Sequence, residues 1–102
     1  MEDPQYEIKL HRHLADLAPA FKESRRRELE ALHDAFAKGD DAELLRLAHM
    51  TRGVGTSYGI AHFEAIGAEL EDALRREDHD ALATCLLRYD DYLRQIRIKV
   101  ED

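Results

Sequence analysis

D-D-A-E-L-L-R-L-A-H-M-T-R-G-V-G-T-S-Y-G, residues 40–59, is the stretch that decides the fold. At about 100° per residue, a helix gathers Leu44, Leu47, Ala48, Thr51, Val54 and Gly55 on one face. Asp40, followed three residues later by Glu43, has the spacing of a capping box at the helix start. Gly59 follows a last turn near Ser57 or Tyr58 and is the expected stop. His49 lies roughly 160° from the middle of the apolar face. A histidine on the wet side of a helix, with an arginine and a glycine beside it, adds nothing to packing. It is predicted to be a reactive imidazole presented to a partner.

The rest of the chain builds a bundle around that helix. Upstream, Gly39 after Lys38 ends a helix that runs from about Pro19 to Ala37. Its stripe is Phe21, Leu29, Leu32, Phe36 and Ala37, with Arg25, Arg26 and Arg27 assigned to the wet side. A short helix is predicted before it, from His11 to Ala18, and Pro19 either kinks that helix or opens the next one. Downstream, Phe63, Ile66, Gly67, Leu70 and Leu74 recur at helical spacing between about Ile60 and Arg76. Asp78 caps a last helix whose stripe is Leu82, Leu86, Tyr89, Tyr92 and Leu93. Tyr6, Ile8 and Leu10 alternate near one end of the chain, and Ile96, Ile98 and Val100 near the other. These ends, 1–10 and 97–102, are expected to be loosely attached or extended, and the second alternation could pair with residues 6–10. The fold class is therefore all-α: an up-and-down four-helix bundle with a short extra N-terminal helix, forming one domain over residues 1–102.

Composition narrows the function. With 102 residues, 44% hydrophobic and 36% charged, the chain suits a small amphipathic helical protein. It is too short for a core plus a deep enclosed catalytic cavity. The formal net charge of −7 argues against nonspecific nucleic-acid binding. No apolar run reaches the length of a membrane span, and no secretory signal heads the sequence. Cys85 is the lone cysteine, so an intrachain disulfide is impossible and a reducing cytoplasm is the expected location. In the run A-T-C-L-L, Cys85 reads as a small core residue.

The neighbours of His49 suit the handling of a phosphoryl group. Residues three and four away on a helix share its surface, which here means Leu45 and Arg46 before it and Arg52 and Gly53 after it. An imidazole nitrogen is a competent nucleophile near neutral pH. Phosphoryl transfer depends on in-line positioning and charge stabilisation. Arg52 supplies a permanent cation with a fork of donors, and Arg46 a second, weaker one. Gly53 leaves room for a partner's active site, although glycine inside a helix costs about 0.8–1 kcal/mol relative to alanine. A choice against local stability beside a candidate nucleophile is the kind of rule-breaking found at functional sites. Gly55, on the apolar face, is expected to permit close helix packing. Leu45 is an exposed apolar contact beside the histidine.

H-M-T-R-G-V-G-T-S-Y-G resembles the signature of histidine-containing phosphotransfer (HPt) domains. That signature sets a basic residue three after its phospho-accepting histidine, glycine four after, a small residue six after and glycine ten after. Arg52, Gly53, Gly55 and Gly59 stand at those places. The approach A-K-G-D-D-A-E-L-L-R-L-A-H and the later A-E-L-E-D, with Leu70 and Glu71, also look like the family, so the similarity runs from about Leu17 to Tyr92. Two positions depart from the pattern. Arg52 stands where lysine is usual, which keeps charge but changes geometry and hydration. Thr51 stands where an apolar residue is usual, and its hydroxyl is expected to bond the carbonyl four residues earlier.

The resemblance implies that His49 accepts a phosphoryl group from an aspartyl phosphate on one receiver domain and passes it to an aspartate on another. Arg52 would stabilise the phosphoryl oxygens and Gly53 would give access, while Leu45, Arg46 and Thr56 would help to dock the receiver. The implied partners are response-regulator receiver domains or a hybrid histidine kinase. The receiver would bring Mg²⁺, with no cofactor and no metal belonging to this chain. A monomer is expected rather than a dimer, acting without nucleic acid or membrane.

Two rival readings differ in class. One is a noncatalytic interaction module that binds a receiver or kinase; loss of the histidine or of both cations would have favoured it, and all three are present. The other is a metal-binding bundle. Glu30 and His33 make one E-x-x-H, but di-iron bundles need two such pairs plus two further glutamates. His11 and His13 lack a second ligand pair at suitable spacing. His62 and His79 read as local polar residues near helix starts. Tyr58 and Phe63 fit either the partner surface or packing.

Overall fold

A computed structural model describes residues 6–12 and 18–101. Six elements follow in order: β1 (Tyr6–His11), α1 (Ala18–Lys38), α2 (Asp41–Tyr58), α3 (Ala61–Arg75), α4 (His79–Gln95) and β2 (Ile96–Glu101). Local chemistry sets the helix boundaries. Asp40 is the N-cap of α2 and accepts the Glu43 amide hydrogen at 3.1 Å. The return half of a capping box is absent, because the Glu43 carboxylate is engaged with Arg46 instead. Gly59, at φ 69°, closes α2 in the left-handed conformation that glycine adopts without a side-chain clash. Asp78 caps α4 by accepting the Ala81 amide hydrogen at 3.0 Å.

The four helices contact one another in a ring, α1 on α2, α2 on α3, α3 on α4 and α4 on α1. Short turns join consecutive helices, so the arrangement is the up-and-down bundle expected from the sequence. Leu32, Leu44, Phe63, Leu70, Leu82, Leu86 and Tyr89 fill its centre. Full burial of a side chain such as Phe63 contributes roughly 1.5–3 kcal/mol. Phe63 meets Tyr89 and Tyr92 edge-on, with ring centroids 5.9 and 5.3 Å apart. Cys85 is buried there too, and burial pushes its thiol up to about 11, which makes it unreactive.

The closest approach is between α2 and α3. A Cβ on Gly55 would lie 2.2 Å from the Glu64 backbone nitrogen, and one on Gly67 would lie 2.5 Å from that of Arg52. Side chains at either place would force the two helices apart. Gly55 therefore does permit close packing, and Gly67 does the same from the opposite helix.

Three expectations need correction. His11 ends β1 rather than starting a helix, and Ala18 already belongs to α1; the rest of the expected short helix, 13–17, lies outside the described residues. Pro19 is the second residue of α1, a place where its missing N–H costs nothing. Arg25 is buried, not on the wet side, while Ala37 is exposed. Arg25 falls four residues from both Phe21 and Leu29, in line with the stripe. Its charge is matched by Glu28, equally buried, one turn on. The Thr51 hydroxyl closes this polar cluster. It lies 3.0 Å from the Leu47 carbonyl oxygen, the bond expected from sequence, and 3.2 Å from Glu28 Oε1.

The chain ends are extended and paired. β1 and β2 run parallel, with Tyr6 opposite Ile96, Ile8 opposite Ile98 and Leu10 opposite Val100. Ile8 and Ile96 are buried. Among the described residues no helix is long and apolar enough to cross a membrane.

Candidate functional site

The wet face of α2 presents Leu45, His49, Arg52, Gly53 and Thr56 to solvent. The His49 side chain is 80% exposed. Its Nδ1 nevertheless has a fixed partner, since Glu71 Oε2 from α3 lies 3.1 Å away. The other oxygen, Glu71 Oε1, accepts a hydrogen bond from Arg52 Nη1 at 2.7 Å. One carboxylate thus holds both the imidazole and the guanidinium. The Glu71 side chain is only 11% exposed. Burial pushes its carboxyl up, but the hydrogen bonds from Arg52 and His49 outweigh burial and hold it below the usual carboxylate range.

An ionised carboxylate only accepts hydrogen bonds, so His49 Nδ1 must carry the hydrogen. In the neutral ring the lone pair then sits on Nε2, at the exposed edge. Fixing the tautomer through the second nitrogen is a common way to orient a functional histidine. Glu71 reaches across because Gly67, one turn earlier on α3, lies against the Arg52 backbone. The same glycine that closes the helix pair therefore sets the span of the carboxylate bridge.

The remaining site residues divide in two. A Cβ placed on Gly53 meets nothing within 4 Å, so the surface beside His49 is open. Leu45 and Met50 are exposed apolar groups, 50% and 42% accessible, on either side of the histidine in sequence. Arg46 does not join the His49–Glu71–Arg52 set. Its guanidinium grips the Glu43 carboxylate at 2.8 and 2.6 Å, with Met50 Sδ at 3.2 Å. The Thr56 hydroxyl is satisfied within the helix pair, 3.2 Å from the Arg52 carbonyl oxygen and 3.1 Å from Glu64 Oε2.

The sequence alone assigns no role to Glu71 or Met50. The signal for Glu71 was a carboxylate one turn beyond Gly67, next to Leu70, on a stripe otherwise apolar. The other described histidines are elsewhere: His11 ends β1, His33 Nε2 lies 3.6 Å from Asp90, His62 stacks on Tyr92 at 4.4 Å, and His79 opens α4. His13 lies outside the described residues. Among the described residues no group of three or more His, Cys, Asp or Glu side chains is placed to hold a metal ion. A groove of about 610 Å³ between α3 and α4, lined by residues such as Ala65, Leu87 and Tyr92, excludes His49. The exposed imidazole thus lies apart from that groove.

A family model for the Hpt domain matches residues 16–99. The chain belongs to the Hpt domain family. Members of this family perform histidine phosphotransfer in two-component phosphorelays, and they interact with receiver domains and histidine kinases. The helical bundle is the architecture of an Hpt domain. Comparison with curated proteins and with solved structures gives no significant match.

Proposed function

We propose that this Hpt domain relays a phosphoryl group between receiver-domain aspartates, with Nε2 of His49 as the accepting atom. The observation that supports it is an imidazole with an exposed outer edge, whose inner nitrogen is bound to a buried carboxylate. The Nε2 lone pair attacks phosphorus of an aspartyl phosphate on the donor receiver. The N–P bond forms as the P–O bond breaks, and the electron pair leaves with the aspartate carboxylate. The Nδ1 hydrogen stays on the ring, and Glu71 faces the positive charge that the ring acquires. A carboxylate on the second receiver then attacks phosphorus and the N–P bond breaks, restoring the neutral imidazole.

In this reading Arg52 turns its half-exposed guanidinium from Glu71 toward the phosphoryl oxygens. Gly53 admits the partner's active site. Leu45, Arg46 and Thr56, joined by Met50, form the docking face. The receiver, from a response regulator or a hybrid kinase, supplies Mg²⁺, and this chain needs no cofactor or metal of its own. All three groups of the site belong to one chain, so a single chain suffices for transfer. A net charge of −7 gives nucleic acid no attraction, and the lone cysteine fits a reducing cytoplasm.

Incubation with a phosphorylated receiver and Mg²⁺ tests the proposal. The expected result is an acid-labile, base-stable phosphoryl adduct on this chain; absence of any adduct with a panel of receivers would contradict it. Arg52→Ala is expected to slow transfer or shorten the life of the adduct, measured by the time course of label, and unchanged kinetics would remove Arg52 from the mechanism. Glu71→Gln keeps an acceptor for the ring but loses the charge. Hydrogen bonds to charged groups contribute about 1.5–3 kcal/mol, so uptake should slow by roughly tenfold to a hundredfold. Wild-type rates in that variant would show that the carboxylate charge has no part in transfer.

A further inference from the structure

The contact between α2 and α3 fixes which residues of α3 share a surface with His49. Gly55 lies against the Glu64 backbone and Gly67 against that of Arg52, while Thr56 bonds Glu64 and His49 bonds Glu71. The pairing is antiparallel, so each step back along α2 is matched by a step forward along α3. On α2, Leu45, His49, Arg52 and Thr56 follow at spacings of four, three and four residues and form one stripe. On α3, Glu64, Ala68, Glu71 and Arg75 follow at the same spacings. Aligned by the observed bonds, Thr56 comes level with Glu64, Arg52 with Ala68, His49 with Glu71 and Leu45 with Arg75.

The middle of this double row is low, because Gly53 has no side chain and Ala68 only a methyl group. Its two ends on α3 carry opposite charge, Glu64 at one and Arg75 at the other, about 16 Å apart at 1.5 Å per residue. Both side chains are exposed. The Glu64 carboxylate accepts from the Thr56 hydroxyl, a neutral group. Arg75 donates to Asp72 at 3.2 Å, a carboxylate that Arg76 also holds, at 2.9 Å. An exposed pair of that kind contributes little, so a partner's carboxylate can take Arg75 over at small cost.

We propose that the docking face extends from α2 onto α3, and that the receiver it takes sets an acidic group on Arg75 and a basic group on Glu64, which fixes its orientation across His49. This rests on the phosphotransfer reading above. The separation of the two ends exceeds the screening length of about 8 Å at physiological salt, so the two contacts act independently.

The test uses the receiver that labels His49 fastest in the panel, with Arg75→Glu and Glu64→Lys variants of the full chain. These two changes shift net charge in opposite directions. Under overall attraction alone, one variant would bind the receiver more tightly and the other less. Contacts at both ends require both to weaken: the receiver concentration for half-maximal uptake should rise roughly threefold to tenfold in each, with the saturating rate held. The double variant should weaken by the product of the two factors. Glu64→Gln keeps an acceptor for Thr56 and removes only the charge, so it should fall between wild type and Glu64→Lys. Should Glu64→Lys lose its helical circular dichroism, Glu64→Gln decides that end, and wild-type half-saturation in it overturns the contact. Opposite shifts in the two reversals, or an unchanged half-saturation in either, overturn the inference and leave the His49 adduct standing. Absence of any adduct in the wild-type chain overturns the phosphotransfer reading and this inference together.

Discussion

A His49→Gln variant is expected to take up no phosphoryl group from a phosphorylated receiver while keeping its helices. The side chain is 80% exposed, so its replacement leaves the core untouched. Exposed substitutions of this kind usually change stability by no more than about 0.5 kcal/mol. Glutamine also retains an N–H donor within reach of Glu71, so the buried carboxylate keeps a partner and Arg52 keeps its anchor. What is lost is the lone pair on an uncharged ring nitrogen, for which an amide offers no substitute. Circular dichroism and receiver binding should therefore stay near wild type, with Leu45 and Met50 still exposed, while labelled adduct falls below detection. Label that persists in the variant would assign the chemistry to another residue.

Gly67→Ala is expected to lose stability through a single added methyl group, and to slow transfer as well. The new Cβ would lie 2.5 Å from the backbone nitrogen of Arg52, 2.6 Å from its Cβ and 2.7 Å from its Cα. Two of those atoms are backbone, so relief requires α3 to retreat from α2. Overpacking of this kind costs typically about 1–3 kcal/mol, of which alanine's better helix propensity offsets roughly 1 kcal/mol. Urea unfolding should show a lower midpoint. Retreat of α3 also carries Glu71 away from His49 and Arg52, whose bonds span 3.1 and 2.7 Å. Gly55→Ala is a useful comparison, because its clash is with Glu64 and Ile60, one turn nearer the connection between α2 and α3 and farther from Glu71. It should lose stability similarly with less effect on transfer. A Gly67→Ala protein as stable and as active as wild type would refute the close approach of these helices.

The features legible in the sequence are those decided within one helix. Asp40, Gly59 and Asp78 mark boundaries through bonds to residues a turn away. The apolar stripes of α2, α3 and α4 read correctly from the period of the helix. The solvent position of His49 follows from the same arithmetic. The signals that failed depend on a partner elsewhere in the chain. Arg25 lies on its helix's apolar stripe, but its charge alone argues for solvent, and its burial depends on Glu28 together with Thr51 from α2. Glu71 could be matched to a motif, yet its reach to His49 depends on the separation of α2 and α3, which Gly55 and Gly67 set. The alternation at Tyr6, Ile8 and Leu10 is too short to exclude a following helix at His11. Only the parallel strand from the other end of the chain shows that the extended segment includes that residue.

The most direct test is to load the chain from a phosphorylated receiver and locate the phosphorus by nuclear magnetic resonance of the nitrogen-labelled histidine rings. The expected result is phosphorus on Nε2 of His49, with the Nδ1 hydrogen retained toward Glu71. Phosphorus on Nδ1 of that ring, or on any other residue, would contradict the account.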